Sequence, residues 1–110
     1  MMQKIDTIEQ FDQLVESGET FFMLKHSTTC PISQAGYDEF AKFEKNASDN
    51  LYFLTVQDSR DLSNHIAEKF HIKHESPQAI LFVNSNVAWH ASHFKITAKG
   101  MGAAKEESAK

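Results

Sequence analysis

The residue in this chain best suited to covalent chemistry is its single cysteine, Cys30, in the stretch Ser27-Thr28-Thr29-Cys30-Pro31-Ile32-Ser33. An apolar run precedes that stretch and a helical pattern follows it, so the thiol sits where a helix begins. A thiolate there faces unpaired backbone N–H groups and the positive end of the helix dipole. Such surroundings lower a cysteine pKa from about 8.5 into a range of about 3.5–7.5. Pro31 suits the first helical position and fixes the direction of the turn. Ser33 lies one turn on, where its hydroxyl can donate to the sulfur, and Thr29 flanks the thiol on the other side. A buried, inert cysteine is the competing reading, and position alone does not choose between the two.

Other side chains invite chemistry less strongly. The six histidines include the pairs His71-x-x-His74 and His90-x-x-His93. Residues three apart on a strand face opposite ways, so the second pair cannot chelate if Val87–Ser92 extends through it. His71 and His74, in a connecting segment with Glu75, could bind a metal adventitiously, but three convergent ligands are not evident and no functional metal site is expected. His26 ends the apolar run before the cysteine loop, where it either tunes the thiol or keeps its ring edge in water. Trp89 alternates with Val87 and Ala91, a spacing that favours core packing over a ligand groove.

The elements that must position Cys30 follow from periodicity. Gln3–Ile5 suits a short edge strand. Thr7, with Gln10 three residues on, forms a capping box for a helix carrying Ile8, Phe11, Leu14 and Val15, which Gly18 ends. Phe21–His26 is a buried strand. Pro31 opens a second helix with Ile32, Ala35, Gly36, Phe40 and Phe43 on its inner face and Tyr37 off that stripe. Leu51–Val56 is another strand, and Asp58 or Ser59 caps a third helix with Leu62, Ile66, Ala67 and Phe70 inward. After Pro77, the runs Gln78–Val83 and Val87–Ser92 flank Asn84-Ser85-Asn86 as a hairpin. Thr97 caps a last helix that Gly100 and Gly102 weaken. The order β-α-β-α-β-α-β-β-α predicts an α/β fold, a mixed central sheet with helices on both faces. One domain spans residues 1–104, and residues 105–110 are expected to fray.

Composition narrows the partners. The chain has 110 residues, 41% of them hydrophobic, with nine phenylalanines, which is enough for a packed core. Its net charge of −4 argues against nucleic acid and anionic membrane surfaces. No stretch approaches the roughly 20 apolar residues of a membrane span. The first residues lack the apolar core of a signal peptide, so a cytoplasmic protein with a reduced thiol is expected. Neither a disulfide framework nor a cysteine-rich zinc site can be built from one cysteine.

On this element order, Lys25-His26-Ser27-Thr28-Thr29-Cys30-Pro31-Ile32-Ser33 resembles the active-site loop of the thioredoxin superfamily. Its Thr-Cys-Pro-Ile-Ser signature most resembles the monothiol bacilliredoxins, and the resemblance continues through Glu75-Ser76-Pro77-Gln78-Ala79 and Trp89-His90-Ala91-Ser92-His93. It implies a thioredoxin-like fold with Cys30 as the attacking nucleophile. Ser33 then occupies the place where dithiol relatives keep a resolving cysteine. Pro77 matches the proline those proteins hold cis opposite the cysteine, with Ser76 and Pro77 as a substrate-docking edge.

The implied activity is monothiol thiol–disulfide exchange that removes bacillithiol from cytoplasmic proteins. No bound cofactor is needed, and bacillithiol, a low-molecular-weight thiol, is the co-substrate. Lys25 and Lys73 either flank a cleft and attract that thiol's carboxylates or, the better reading for each taken singly, are solvated lysines. Two other classes compete: an iron–sulfur carrier of the monothiol glutaredoxin kind, against which Pro31 in place of glycine argues, and a thioredoxin-like binding module without turnover. Oligomeric state does not follow from these residues.

Overall fold

The computed structural model describes residues 2–29, 31–45 and 50–109. Strand β1 (Met2–Lys4) leads into helix α1 (Ile8–Ser17). The capping box forms as expected: Gln10 N–H donates to Thr7 Oγ1 at 3.1 Å, and Thr7 N–H donates back to Gln10 Oε1 at 3.1 Å. Gly18 ends α1 at φ 74°, a left-handed conformation that glycine adopts without steric cost. Strand β2 (Phe21–His26) precedes α2 (Pro31–Lys45), β3 (Asn50–Thr55) and α3 (Arg60–Phe70). Strands β4 (Gln78–Val83) and β5 (Asn86–Ser92), a 3-10 turn (His93–Lys95) and α4 (Ala98–Ser108) complete the order.

The five strands form one sheet in the order β1-β3-β2-β4-β5. β1 and β2 each run parallel to β3, while β4 is antiparallel to both β2 and β5. β2 lies at the centre, covered on both faces, so all six of its residues are buried and its sequence is nearly continuously apolar. Alternate residues feed two cores. Phe21, Met23, Ile80 and Phe82 face α1 and α3, where they meet Phe11, Val15, Leu62 and Ile66. Phe22, Leu24, Ala79 and Leu81 face α2 and α4, where they meet Phe40, Phe43 and Met101. The thioredoxin-like α/β fold expected from the sequence is the fold observed, with helices on both faces of a mixed sheet.

Several details differ from the sequence expectation. Ala35 is exposed, and the inward stripe of α2 is Ser33, Gly36, Phe40 and Phe43. A stripe drawn from apolar character passes over serine and lands one residue off. Tyr37 is half-buried, its ring 5.1 Å from His26 and 5.6 Å from Phe53. On α3 the buried residues are Leu62, Ser63 and Ile66, again with a serine facing inward. Ser59 is the N-cap of α3, and its side chain bonds Asp6 Oδ1 at 3.3 Å rather than the helix backbone. The hairpin turn is tighter than read: Asn84 and Ser85, at φ 50° and 69°, make it alone, and Asn86 already belongs to β5. Helix α4 forms despite its glycines, with Gly100 N–H on Thr97 Oγ1 at 2.9 Å, and it continues to Ser108 past the expected boundary at 104. Among the described residues no helix is long and apolar enough to cross a membrane.

Candidate functional site

Cys30 itself lies outside the described residues, and the site is built from what surrounds it in the chain. Pro31 is the first residue of α2, as expected, and is exposed. Ser33, on the first turn, is fully buried, and its Oγ has no hydrogen-bond partner among the described residues. Thr29 is exposed at the end of the loop.

That loop is held by a residue the sequence did not single out. Gln57, just past β3, donates from Nε2 to Ser27 Oγ at 2.8 Å and to Thr29 Oγ1 at 3.1 Å. Its Oε1 accepts from Thr28 N–H at 3.3 Å. One amide thus ties the three residues before Cys30 to the end of the neighbouring strand. A polar residue after a strand is too common a pattern to have revealed it.

The Ser76–Pro77 bond is cis, and Pro77 packs against α2. A Cβ built on Gly36 would stand 3.1 Å from Pro77 Cβ, so the proline ring lies directly on the helix one turn beyond Ser33. Pro77 is buried and Ser76 half-buried, with Ser76 Oγ also lacking a partner among the described residues. His93 N–H donates to Pro77 C=O at 3.0 Å, and His93 Nε2 sits 3.1 Å from Glu75 Oε2.

Beside this corner opens a cleft of about 450 Å³ whose lining includes Gly36, Asp38, Glu39, His93 and Phe94. Phe94 is 73% exposed, the exposed large apolar side chain among the described residues. Trp89 is half-buried with its ring 6.3 Å from Phe22, so it packs against the core as its alternation suggested.

His26 is buried rather than open to water at one edge. Burial lowers its pKa below the ordinary imidazole value, opposed by a hydrogen bond with the Ser33 backbone and by the Asp38 charge.

Lys25 neither lies in solvent nor flanks a cleft. Its side chain is fully buried on the opposite face of β2, with Nζ on Ser63 C=O at 3.0 Å and on His74 Nδ1 at 3.2 Å. Strand alternation explains the error: neighbours Lys25 and His26 must face different cores. Lys73 is exposed. No group of three or more potential metal ligands occurs among the described residues.

Comparison with known proteins fits this geometry. The family model for monothiol bacilliredoxin BrxC matches residues 3–101. A solved protein described as an oxidoreductase with a thioredoxin fold is 44% identical, with TM-score 0.90, covering 94% of this chain and 93% of its own. Reduced thioredoxin pre-protein from Schistosoma mansoni superimposes at TM-score 0.74 with 15% identity, covering 96% of each chain. A thioredoxin variant from Halobacterium salinarum gives TM-score 0.78 with 8% identity, over 99% of this chain and 91% of its own. The last two similarities concern the fold alone.

Proposed function

The chain belongs to the monothiol bacilliredoxin family and is a thiol–disulfide oxidoreductase, and from that premise we propose that it strips small-thiol caps, bacillithiol foremost, from protein cysteines. The observation that carries this is the pairing of Cys30, the only cysteine in the chain, with a buried serine at position 33. A protein without a second thiol cannot close a mixed disulfide internally.

Two exchanges make up the reaction. Cys30 thiolate attacks the cap's sulfur, forming a Cys30–cap disulfide and releasing the protein cysteine as thiolate. A second small thiol, deprotonated, then attacks the cap's sulfur on Cys30, leaving as a small-molecule disulfide and regenerating the Cys30 thiolate. The protein cysteine is reduced and the second thiol is oxidised, while the cap's sulfur stays in a disulfide throughout.

The start of α2, fixed by Pro31, favours the charged sulfur in both steps. The Ser33 hydroxyl, buried and without a partner among the described residues, supports its role as donor to that sulfur, and Gln57 acting on Thr29 supports a fixed approach. Pro77, packed on the same helix, and Ser76 before it suit the docking of an extended segment around the capped cysteine. A reducing, cytoplasmic compartment would keep Cys30 ready.

The test is transfer of the cap from a bacillithiol-capped protein, read by mass spectrometry. Wild type should carry the cap on Cys30, Cys30→Ala should carry none, and a glutathione-capped substrate should react more slowly. Equal rates for both caps would remove the selectivity. No transfer from either substrate would remove the proposal.

A further inference from the structure

Lys25 poses a problem that cap removal does not answer. An ammonium is rarely buried without a carboxylate partner, because desolvation opposes the charge. Here it lies at the penultimate position of β2, fully buried. Its bonds run to the Ser63 carbonyl on α3 and to Nδ1 of His74. His74 lies in the segment between α3 and β4, two residues before Ser76. The same segment is tied to the sheet a second time: Gln78, the β4 partner of Lys25, donates from Nε2 to Lys73 C=O at 3.0 Å.

We propose that Lys25 is a positioning residue that fastens segment 72–76, and with it the Ser76–Pro77 docking edge, to the sheet through His74, and that protonation of His74 undoes the fastening. The fastening requires Nδ1 as acceptor, which places the ring's proton on Nε2. Once Nδ1 is protonated it presents a donor, and a positive charge, to an ammonium 3.2 Å away. Ser63 Oγ, 3.1 Å from Nδ1, can accept that proton but cannot remove the repulsion. Lys25 has no route to water, whereas His74 is exposed, so the imidazole is the partner that turns out.

The surrounding charges are few. Arg60 on α3 and Lys25 disfavour the imidazolium, and Glu75 favours it but is engaged by His93. Leu54 on β3 and Gln78 on β4, the strand partners of Lys25, are uncharged. Burial leads these effects, and the His74 pKa falls below the ordinary imidazole value.

The proposal rests on Ser76–Pro77 being the docking edge, but its main test needs no turnover. Imidazole titration and amide hydrogen exchange would be followed by NMR in wild type, Lys25→Met and His74→Gln. In wild type, exchange in segment 72–76, corrected for its intrinsic pH dependence, should quicken about tenfold as pH falls through the His74 midpoint. The glutamine of His74→Gln can accept from Lys25 but cannot be protonated, so exchange there should stay slow from about pH 8 to about pH 5. Lys25→Met should exchange quickly throughout, with its His74 midpoint moved upward.

A wild-type segment indifferent to pH, or a pH response that survives in His74→Gln, would overturn the proposal. So would a His74 midpoint unmoved by Lys25→Met. Should that variant not fold, wild type against His74→Gln decides alone. Cap-transfer kinetics separate the two readings. KM for a capped protein should rise at low pH in wild type but not in His74→Gln. If exchange responds as expected while KM does not, the fastening stands and the docking edge falls.

Discussion

Gly36 and Pro77 meet so closely that any side chain at position 36 would be crowded. A Cβ on Gly36 would lie 3.1 Å from Pro77 Cβ and 3.2 Å from Cγ, both atoms of a rigid ring. Helix α2 thereby approaches Pro77 so closely that a Cβ at position 36 would push the ring back by a few tenths of an ångström.

Gly36→Ala sets two effects against each other. Alanine favours the helix by about 1 kcal/mol, while crowding in a packed site costs about 1–3 kcal/mol. Stability should change little or fall slightly, but Pro77 must move, and cap transfer should slow by about tenfold, as for a small misplacement of a substrate-positioning group. Gly102→Ala on α4 is the control, because its Cβ would meet only Phe43 Cε1 at 3.9 Å. It should gain stability and keep full activity. Thermal melts with transfer rates check both, and a Gly36→Ala protein as active as wild type would remove Pro77 from the site.

Ser33→Cys should convert the mechanism. The position is buried, its hydroxyl is unpartnered among the described residues, and sulfur replaces oxygen with little change of shape. Position 33 lies on the first turn of α2, three residues after Cys30 in sequence, so the new thiol is expected to reach and attack the Cys30–cap disulfide. The cap should leave without added small thiol, and the product should weigh two hydrogens less than the reduced protein. A cap that persists until external thiol is added would place residue 33 out of reach of Cys30.

The sequence conveyed the fold well where pattern and propensity agree. The Thr7–Gln10 box, Gly18, the central strand and the hairpin are all local or strongly periodic, and each forms as read apart from the tighter turn. The errors about which side chains face inward share one physical cause. Ser33 and Ser63 face inward and Lys25 is buried, yet apolar periodicity assigns serine and lysine to the surface. Gln57 was invisible for another reason. Its role depends on contact with residues 28 to 30 positions away in sequence, and no local pattern encodes that.

Gln57→Ala tests that missed role. Three exposed hydrogen bonds to Ser27, Thr28 and Thr29 would vanish. Water can replace partners at an exposed site, so unfolding free energy should change by only about 1 kcal/mol. The loop before Cys30 would lose its anchor, and cap transfer should slow several-fold. Gln57→Glu keeps an acceptor for Thr28 but loses both donors, and should fall between the two. Rates equal to wild type in Gln57→Ala would leave the clamp without functional consequence.

The last prediction concerns the pH dependence of stability. Burial lowers the Lys25 pKa from 10.5 to about 8. At pH values between these two, the unfolded chain holds a proton that the folded chain has released, so stability must rise as pH rises through this window. Below about pH 8 both states are protonated, and the folded state bears the full penalty of a buried ammonium. At about 1.4 kcal/mol for each tenfold change in proton affinity, that penalty is on the order of 3 kcal/mol. Tyr52 acts in the opposite sense near pH 10, since burial and Glu19 raise its pKa. The informative quantity is therefore the difference between wild type and Lys25→Met, in which Tyr52 cancels. Lys25→Met removes the charge and keeps an unbranched chain, so it should be at least as stable as wild type at neutral pH, less what the bonds to Ser63 and His74 contribute. Urea titrations from neutral pH upward should show the wild-type curve climbing toward that of Lys25→Met and meeting or passing it at the alkaline end. A difference that stays constant across the window would mean that Lys25 keeps an ordinary pKa and is not the buried ammonium on which the fastening of His74 depends.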